Sequence, residues 1–202
     1  MLRMLTEIRI AGFGGQGVIL AASVIGKAAA LFEGGYATMT QSFGPEARGG
    51  SSSAQVILSN EPILYPYVAH PDILVVMSQE AATRFVPQLK PGGTLLTEQE
   101  LVRVDRYPVG VRVYGVPATR LAEELGRKVV LNIVMTGFFG AVTGLLDPES
   151  LRKAVADSVP AAMQRLNLQA FDKGYEYGSH LMVRMEANGN GSPDPSLALE
   201  SA

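Results

Sequence analysis

The 202-residue sequence contains no cysteine, no tryptophan and only two histidines. Without cysteine, this chain can form no disulfide, no thiolate nucleophile and no cysteine-ligated zinc or iron–sulfur site. His70 precedes Pro71 in a predicted turn, and His180 lies on the last predicted helix. Neither has acidic or histidine partners at metal-ligand spacing, so both are interpreted as structural or solvated residues. We therefore expect no metal site on this chain.

Strong charge and long apolar runs are also missing. The formal net charge is −2 with both signs scattered, so no basic stripe indicates binding to nucleic acid or to a membrane surface. No apolar run reaches the ~20 residues of a membrane span. The first ten residues, MLRMLTEIRI, are too short and too interrupted for a signal peptide. These features predict a cytoplasmic protein that binds neither nucleic acid nor membranes.

The residues that are present predict an α/β fold. Hydrophobic residues make up 47% of the chain, and 22 glycines suit tight turns between strands and helices. We expect three layers, with a mostly parallel twisted sheet, helices on both faces, a Rossmann-like βαβ start and a C-terminal helix. Strands are predicted at 8–11, 36–40, 51–58, 63–66, 72–77, 94–97 and 109–116, and helices at 18–32, 80–89, 117–126, 129–144, from 147, and at 161–185. Residues 98–108 could be a short helix or a loop. The folded domain spans 1–186, and the polar segment 187–202 is predicted to be a flexible tail.

The segment EIRIAGFGGQG reads as a strand followed by a glycine turn and the start of a helix. Glycines allow a tight turn, close backbone approach to a partner, and close helix–strand packing. Helix amides at this point carry a partial positive charge that could hold a phosphate or carboxylate. The alternative is that the glycines serve only the packing of helix on sheet.

A second unusual loop follows the second predicted strand. Residues 41–50, QSFGPEARGG, contain Glu46, Arg48 and three glycines. This segment is longer and has more charged residues and glycines than a simple connection between two strands needs. Both loops follow strands, and ligands bind open α/β sheets at the carboxyl ends of strands. We therefore predict that residues 12–17 and 41–50 share one edge and act in binding or at an interface. An ordinary surface loop with a Glu46–Arg48 pair is the alternative.

Common nucleotide and hydrolase motifs fit poorly. GFGGQG has the spacing of a dinucleotide fingerprint, but the second strand ends without the acid that would bind a ribose, and Glu33 precedes that strand. Gly26 and Lys27 are followed by Ala28, which excludes a P-loop, and no serine lies in a G-x-S-x-G elbow. Gly174 and Gly178, on one stripe of the last helix, predict close helix packing, with a partner helix as the alternative.

Four segments in a fixed order, IAGFGGQG, SFGPEARGG, VPATRLAEELG and LNIVMTG, resemble the gamma subunit of 2-oxoacid:ferredoxin oxidoreductases. The resemblance covers about residues 6–185, and the GGQG and GPEARGG pair is its most specific part. Phe43 stands where many relatives carry tyrosine. The 187–202 tail lies outside the resemblance.

The resemblance implies a noncatalytic subunit that is inactive alone. The assembly converts a 2-oxoacid, coenzyme A and oxidised ferredoxin into acyl-CoA, carbon dioxide and reduced ferredoxin. It is expected to use thiamine diphosphate, magnesium and iron–sulfur clusters bound by other chains, with none bound by this chain alone. The implied partners are alpha and beta subunits, with a delta subunit as a further candidate, and ferredoxin through the complex. The first expected substrate is 2-oxoglutarate; pyruvate, branched-chain oxoacids and indolepyruvate are alternatives.

Within such an assembly this chain would pack against the thiamine-binding subunits and help shape the coenzyme A site. The residues carried over by the resemblance are Gly12, Gly14, Gly15, Gln16, Gly17, Ser42, Gly44, Glu46, Arg48, Gly49, Gly50 and Asn132. Whether they contact coenzyme A or a neighbouring subunit stays open. A chain without its partners would expose an apolar patch, which favours homo-oligomers. A stand-alone nucleotide-binding enzyme and a small-molecule-binding module are the alternative functions.

Overall fold

The computed structural model of the chain describes residues 5–43 and 50–187. Six strands lie in this part of the protein: β1 (Thr6–Phe13), β2 (Tyr36–Phe43), β3 (Ser51–Ser59), β4 (Ile73–Val76), β5 (Thr94–Glu98) and β6 (Arg112–Val116). They form one sheet in the order β2-β3-β1-β4-β5-β6. The predicted tail falls outside the described residues, apart from Ala187.

The sheet is mixed, and β3 alone runs against the other five strands. β1, β4, β5 and β6 are parallel to one another, whereas β3 is antiparallel to both β1 and β2. The connection from β2 to β3 is too short for a crossover helix, and parallel neighbours would need a connection of about a dozen residues or more. The two strands therefore form a hairpin, and β2 points in the same direction as β1.

Six α-helices are present in the described ranges: α1 (Val18–Lys27), α2 (Gln79–Phe85), α3 (Ala118–Glu124), α4 (Leu131–Thr143), α5 (Pro148–Ser158) and α6 (Ala161–Ala187). A π-helical segment, Ala28–Phe32, continues α1. The larger hydrophobic core joins α1, α3, α4, α5 and α6 to one face of the sheet, and a smaller core joins α2 to the other. The predicted three-layer α/β architecture is confirmed.

Local signals in the sequence explain several element boundaries. All four residues of β4 are buried, as expected for a continuous apolar run in a parallel sheet. Asp147 caps α5, because its side chain accepts a hydrogen bond from the Ser150 amide at 3.0 Å, and Pro148 takes the first helical position. The predicted start of this helix is confirmed.

The glycines of α6 lie in the contact between α4 and α6. A Cβ atom on Gly174 would overlap the backbone oxygen of Val134, and one on Gly137 of α4 would overlap the backbone oxygen of Phe171. A Cβ on Gly178 would lie 2.8 Å from the Cβ of Ala141. Gly174 and Gly178 therefore serve close packing inside the domain, as predicted, rather than contact with a partner helix.

Several expected segments differ in the structure. β2 extends three residues beyond the predicted 36–40, and β6 starts at Arg112 rather than at 109. The predicted strand at 63–66 is wrong, because residues 60–71 form turns and irregular backbone. Pro62 and Pro66 lack the amide hydrogens that a strand uses for pairing. Residues 99–111 form turns rather than a helix.

Candidate functional site

The glycine loop occupies the carboxyl end of β1. Residues 14–17 make the whole turn between β1 and α1, and Gly15 and Gly17 have φ angles of 98° and 71°. Only glycine adopts such angles without steric cost, so the sequence dictates this turn. Gly14 and Gly15 are exposed, and a Cβ on Gly15 would meet nothing within 4 Å. The loop therefore presents bare backbone to the surroundings.

Gln16 points inward from this loop and joins two strands. Its Oε1 accepts a hydrogen bond from the Phe13 amide at 2.7 Å, and its Nε2 donates to the Met77 oxygen at 2.8 Å. Gly12 makes room for this side chain, because a Cβ there would lie 2.5 Å from the Gln16 Oε1. The amide of Gln16 thus bridges the ends of β1 and β4. The helix after β1 packs on one face of the sheet and the helix after β4 packs on the other. Open α/β sheets usually bind ligands at such a point.

Asn132 connects the start of α4 with the start of α1. It is only 2% exposed, and its Nδ2 donates a hydrogen bond to the Gly17 oxygen at 3.2 Å. A Cβ on Gly17 would overlap the Asn132 amide group. Glycine at 17 and asparagine at 132 therefore depend on each other. Asn132 supports the loop from beneath, a placement that its neighbourhood in the sequence does not reveal.

Gly50, the last residue of the second loop, contacts the glycine loop at the carboxyl ends of β1 and β2. The Gly14 amide donates a hydrogen bond to the Gly50 oxygen at 2.8 Å, and β2 and β1 end on the same side. The predicted shared edge is confirmed for the described residues. Ser42 lies in β2, exposed, and pairs with Ser53 of β3. Gly44, Glu46, Arg48 and Gly49 lie outside the described residues.

Glu33, considered as a ribose-binding acid, and His70, considered as a metal ligand, make contacts within the fold. Glu33 accepts a hydrogen bond from the Asp147 amide at 2.7 Å, which ties it to the start of α5. His70 Nδ1 lies 3.1 Å from the Gln88 oxygen. Within residues 5–43 and 50–187, no three histidine or acidic side chains form a metal-binding group.

Sequence reasoning missed Glu98, a buried carboxylate at the end of β5. Its Oε2 accepts hydrogen bonds from the amides of Glu100 and Leu101 at 3.1 and 2.7 Å, and its Oε1 accepts one from the Thr119 amide at 3.0 Å. Burial raises the pKa of Glu98, and the hydrogen bonds from Thr119 and Leu101 oppose that rise. Glu98 thus joins the turn after β5 to the first turn of α3. An acid at the end of an apolar strand was the available signal.

A groove of about 270 Å³ lies between α2 and residues 103–106. Its walls are joined by a reciprocal pair, in which Gln79 Nε2 donates to the Arg103 oxygen and the Arg103 amide donates to Gln79 Oε1. Arg103 and Arg106 line it, are exposed, and have no ion-pair partner in the described part of the chain. Only the tertiary structure brings α2 and this loop together.

Exposed aromatic side chains lie on the segment between β3 and β4. Leu64, Tyr65 and Tyr67 are 96%, 69% and 59% exposed, and the two tyrosine rings lie 5.5 Å apart. The segment is held at Val68, whose oxygen accepts a 2.6 Å hydrogen bond from the buried side chain of Arg9. Three neighbouring exposed apolar side chains on an anchored segment are typical of a contact surface.

The fold and the two adjacent loops agree with what comparison with known protein families shows. The chain belongs to the pyruvate ferredoxin/flavodoxin oxidoreductase family, which it matches over residues 7–177. It is 47% identical over 182 residues to the 2-oxoglutarate synthase subunit KorC of Methanocaldococcus jannaschii, covering 89% of this chain and 97% of that protein. The family resemblance seen in the sequence is confirmed.

Solved structures agree with this family. The gamma subunit of a keto/oxoacid ferredoxin oxidoreductase from Geobacter sulfurreducens superposes with a TM-score of 0.77 at 37% identity, covering 86% of this chain and 96% of that one. A 2-oxoglutarate:ferredoxin oxidoreductase from Magnetococcus marinus, with 2-oxoglutarate, coenzyme A and succinyl-CoA bound, shares the fold with a TM-score of 0.75 at 24% identity. It is matched over 88% of this chain and 32% of that chain. No described helix is both long and apolar enough to span a membrane.

Proposed function

We propose that this chain is the gamma subunit of a cytoplasmic 2-oxoglutarate:ferredoxin oxidoreductase that forms succinyl-CoA. The observation that carries the proposal is the 47% identity to a 2-oxoglutarate synthase subunit along nearly the full length of both proteins. The choice of 2-oxoglutarate as the substrate is the more specific part of the proposal. It rests on the name of that relative, since oxoacid recognition is expected on other chains.

The chain's own composition supports a division of labour within the complex. Its sequence has no cysteine, so its residues do not fit a cysteine-ligated iron–sulfur cluster. We therefore assign the clusters to other, cysteine-bearing chains, and the family resemblance places thiamine diphosphate and magnesium with the alpha and beta subunits. The role left to this chain is to bind those subunits and to complete the surface that coenzyme A approaches.

The edge formed by the two joined loops is our candidate for that surface. Exposed Gly14 and Gly15 let a partner or ligand approach the backbone closely, and the hydrogen bond from Gly14 to Gly50 brings the residue that directly precedes β3 beside them. Arg48 belongs to the connection between β2 and β3 and lies outside the described residues. As an always-charged, bidentate donor, it suits a phosphate of coenzyme A or a carboxylate of a neighbouring subunit. Leu64, Tyr65 and Tyr67 offer a second contact surface.

The complex is tested by isolating the tagged chain from its native host under anaerobic conditions. We expect thiamine-binding and cysteine-bearing partners to co-purify, and the eluate to reduce a low-potential dye only when both 2-oxoglutarate and coenzyme A are present. Activity with pyruvate or a branched-chain oxoacid instead would keep the subunit role and change the substrate. A lone chain carrying a bound nucleotide would overturn the subunit role.

The edge is tested with Arg48→Ala in the assembled complex. Loss of a charge-assisted hydrogen bond to coenzyme A should raise the apparent KM for coenzyme A by roughly tenfold. The control is Arg165→Ala, which removes an exposed arginine from α6. A reduced yield of complex with an unchanged KM would assign Arg48 to a subunit contact. Wild-type values for both properties would exclude Arg48 from the site.

A further inference from the structure

The groove between α2 and residues 103–106 has walls that are fixed to each other. Gln79, the first residue of α2, binds the backbone of Arg103 through both atoms of its side-chain amide, at 3.1 and 2.8 Å. On either side of Arg103, Val102 is buried in the smaller core and Val104 packs against that core. The loop is thus fixed at three successive residues, which gives the groove a defined shape.

Positive charge exceeds negative charge among the residues that line this groove. Arg103 and Arg106 are exposed, and neither forms an ion pair in the described part of the chain. Asp105 also lines the groove and, within the same described ranges, has no ion-pair partner either. Two arginines and one aspartate leave an excess of one positive charge, in a chain whose net charge is −2. The groove is therefore suited to an anion.

Apolar side chains lie beside the two arginines. Ala82 and Val86 line the groove and are only 2% and 4% exposed, and Pro87 and Val104 line it as well. At about 270 Å³ the groove is slightly smaller than the range of about 300–1,000 Å³ that is usual for small-molecule sites. It has room for an anionic group that carries a small apolar part.

We propose that this groove binds a small phosphate monoester, with the phosphate held by Arg103 and Arg106 and the organic group placed against Val86 and Pro87. Guanidinium groups bind phosphate oxygens through paired, charge-assisted hydrogen bonds. A phosphate monoester carries close to two negative charges near neutral pH, which matches two arginines better than the single charge of a carboxylate does. Asp105 repels the anion and limits the affinity. The proposal does not depend on the oxoacid substrate or on the glycine loop, since no residue of 12–17 or 41–50 lines the groove.

The proposal is tested by titrating the full-length chain with phenyl phosphate at constant ionic strength and following backbone amide signals by NMR. We expect saturable shifts confined to residues 79–87 and 103–106. Inorganic phosphate should bind more weakly because it lacks the apolar part, and benzoate should bind more weakly because it carries one charge. Equal affinity for phenyl phosphate and inorganic phosphate would overturn the organic part of the proposal. Shifts that never saturate, or that appear at residues 14–17 instead, would overturn the site itself.

Charge variants separate a specific site from a general attraction of anions. Arg103→Gln and Arg106→Gln should each raise the Kd for phenyl phosphate roughly five- to tenfold. Asp105→Asn should lower that Kd roughly twofold or more, because it removes a repulsive charge. Replacing the side chain of Arg103 leaves both bonds to Gln79 in place, because the Arg103 backbone makes them.

The matched control is Arg165→Gln, which removes an exposed arginine from α6, outside the groove. It lowers the net charge by the same amount as the two groove variants, and it should leave the Kd for phenyl phosphate unchanged. Equal effects of all three arginine replacements would mean that only the net charge attracts the anion, and would overturn the proposal. An Asp105→Asn chain that binds phenyl phosphate more weakly than the unmodified chain would also overturn it.

Discussion

Glycine has opposite roles at the contact between α4 and α6 and in the loop after β1. At the helix contact, Gly137 and Gly174 have ordinary helical backbone, and what matters is the missing Cβ, because each glycine faces a backbone oxygen of the other helix. In the loop, Gly15 has open space around it, and what matters is its φ angle of 98°. The first region needs small volume, and the second needs conformational freedom.

The comparison separates stability from function in this protein. The helix contact is buried in the larger core, where interiors are close-packed and added volume has no place to go. The loop is exposed at the edge where ligands and subunits are proposed to bind. Substitutions at the contact should therefore act on folding, and substitutions in the loop should act mainly on assembly and on coenzyme A.

The largest effect is expected from Gly174→Ala. The new Cβ would overlap the Val134 oxygen, so α4 and α6 would have to separate, at a cost of about 3 kcal/mol or more in unfolding free energy. Urea denaturation measures it. Gly26→Ala is the matched control, since its Cβ would find no atom closer than 3.8 Å and alanine favours a helix by up to about 1 kcal/mol. Equal losses for both variants would contradict the role of the contact.

A smaller effect, shared between two residues, is expected at the base of the loop. Gly17→Ala combines a left-handed backbone with overlap on the Asn132 amide and should cost about 2–3 kcal/mol. Asn132→Ala removes that obstacle, so the cost of Gly17→Ala should fall by at least about 0.5 kcal/mol in the Asn132→Ala background. A double-mutant cycle measures this coupling. Strict additivity would mean that Asn132 yields to the new methyl group without cost.

Glu98→Gln should reveal a pH-dependent contribution of Glu98 to the free energy of unfolding. Both carboxylate oxygens accept amide hydrogens, so the new NH₂ group would face a donor, and we expect a loss of about 1–3 kcal/mol. The pKa of Glu98 is raised in the folded protein, so between the unfolded and folded pKa values the native state binds more protons. The contribution of Glu98 to stability is therefore greatest at or below its unfolded pKa and falls as the pH rises through the folded pKa.

The measurement is the difference in unfolding free energy between the unmodified protein and Glu98→Gln at a series of pH values. That difference should shrink as the pH rises from about 4.5, the ordinary glutamate pKa. The subtraction cancels the titration of the other carboxylates. A difference that grows with pH would mean that the hydrogen bonds from Thr119 and Leu101 outweigh burial and lower the pKa.

The smallest effect on stability is expected from Gly15→Ala. No atom obstructs the new methyl group, so only the positive φ angle contributes, at about 1–2 kcal/mol. Thermal unfolding of the isolated chain measures this cost. If the loop is a contact surface, assembly with the other subunits should weaken by more than the stability loss explains. If assembly weakens only as much as the loss of stability explains, the loop has a structural role and is not a contact surface.

Much of the fold follows from local signals in the sequence. The glycine turn, the apolar run of β4 and the Asp147–Pro148 helix start depend on neighbouring residues, so each is read correctly. The direction of β3 is different. Its antiparallel pairing with β2 follows from their short connection, but its antiparallel pairing with β1 depends on its place between β2 and β1, which the sequence pattern of 51–58 does not encode.

The candidate site divides in the same way. The sequence by itself determined the family, the two loops and the absence of cysteine ligands, because these depend on residue types and their order. Only the tertiary structure decided that Gln16 joins β1 to β4, that Asn132 supports Gly17 and that Glu98 caps a turn and a helix. Each of these contacts joins residues more than 20 positions apart or different elements. Side-chain hydrogen bonds act through distances of about 3 Å in space, which the order of residues along the chain does not specify.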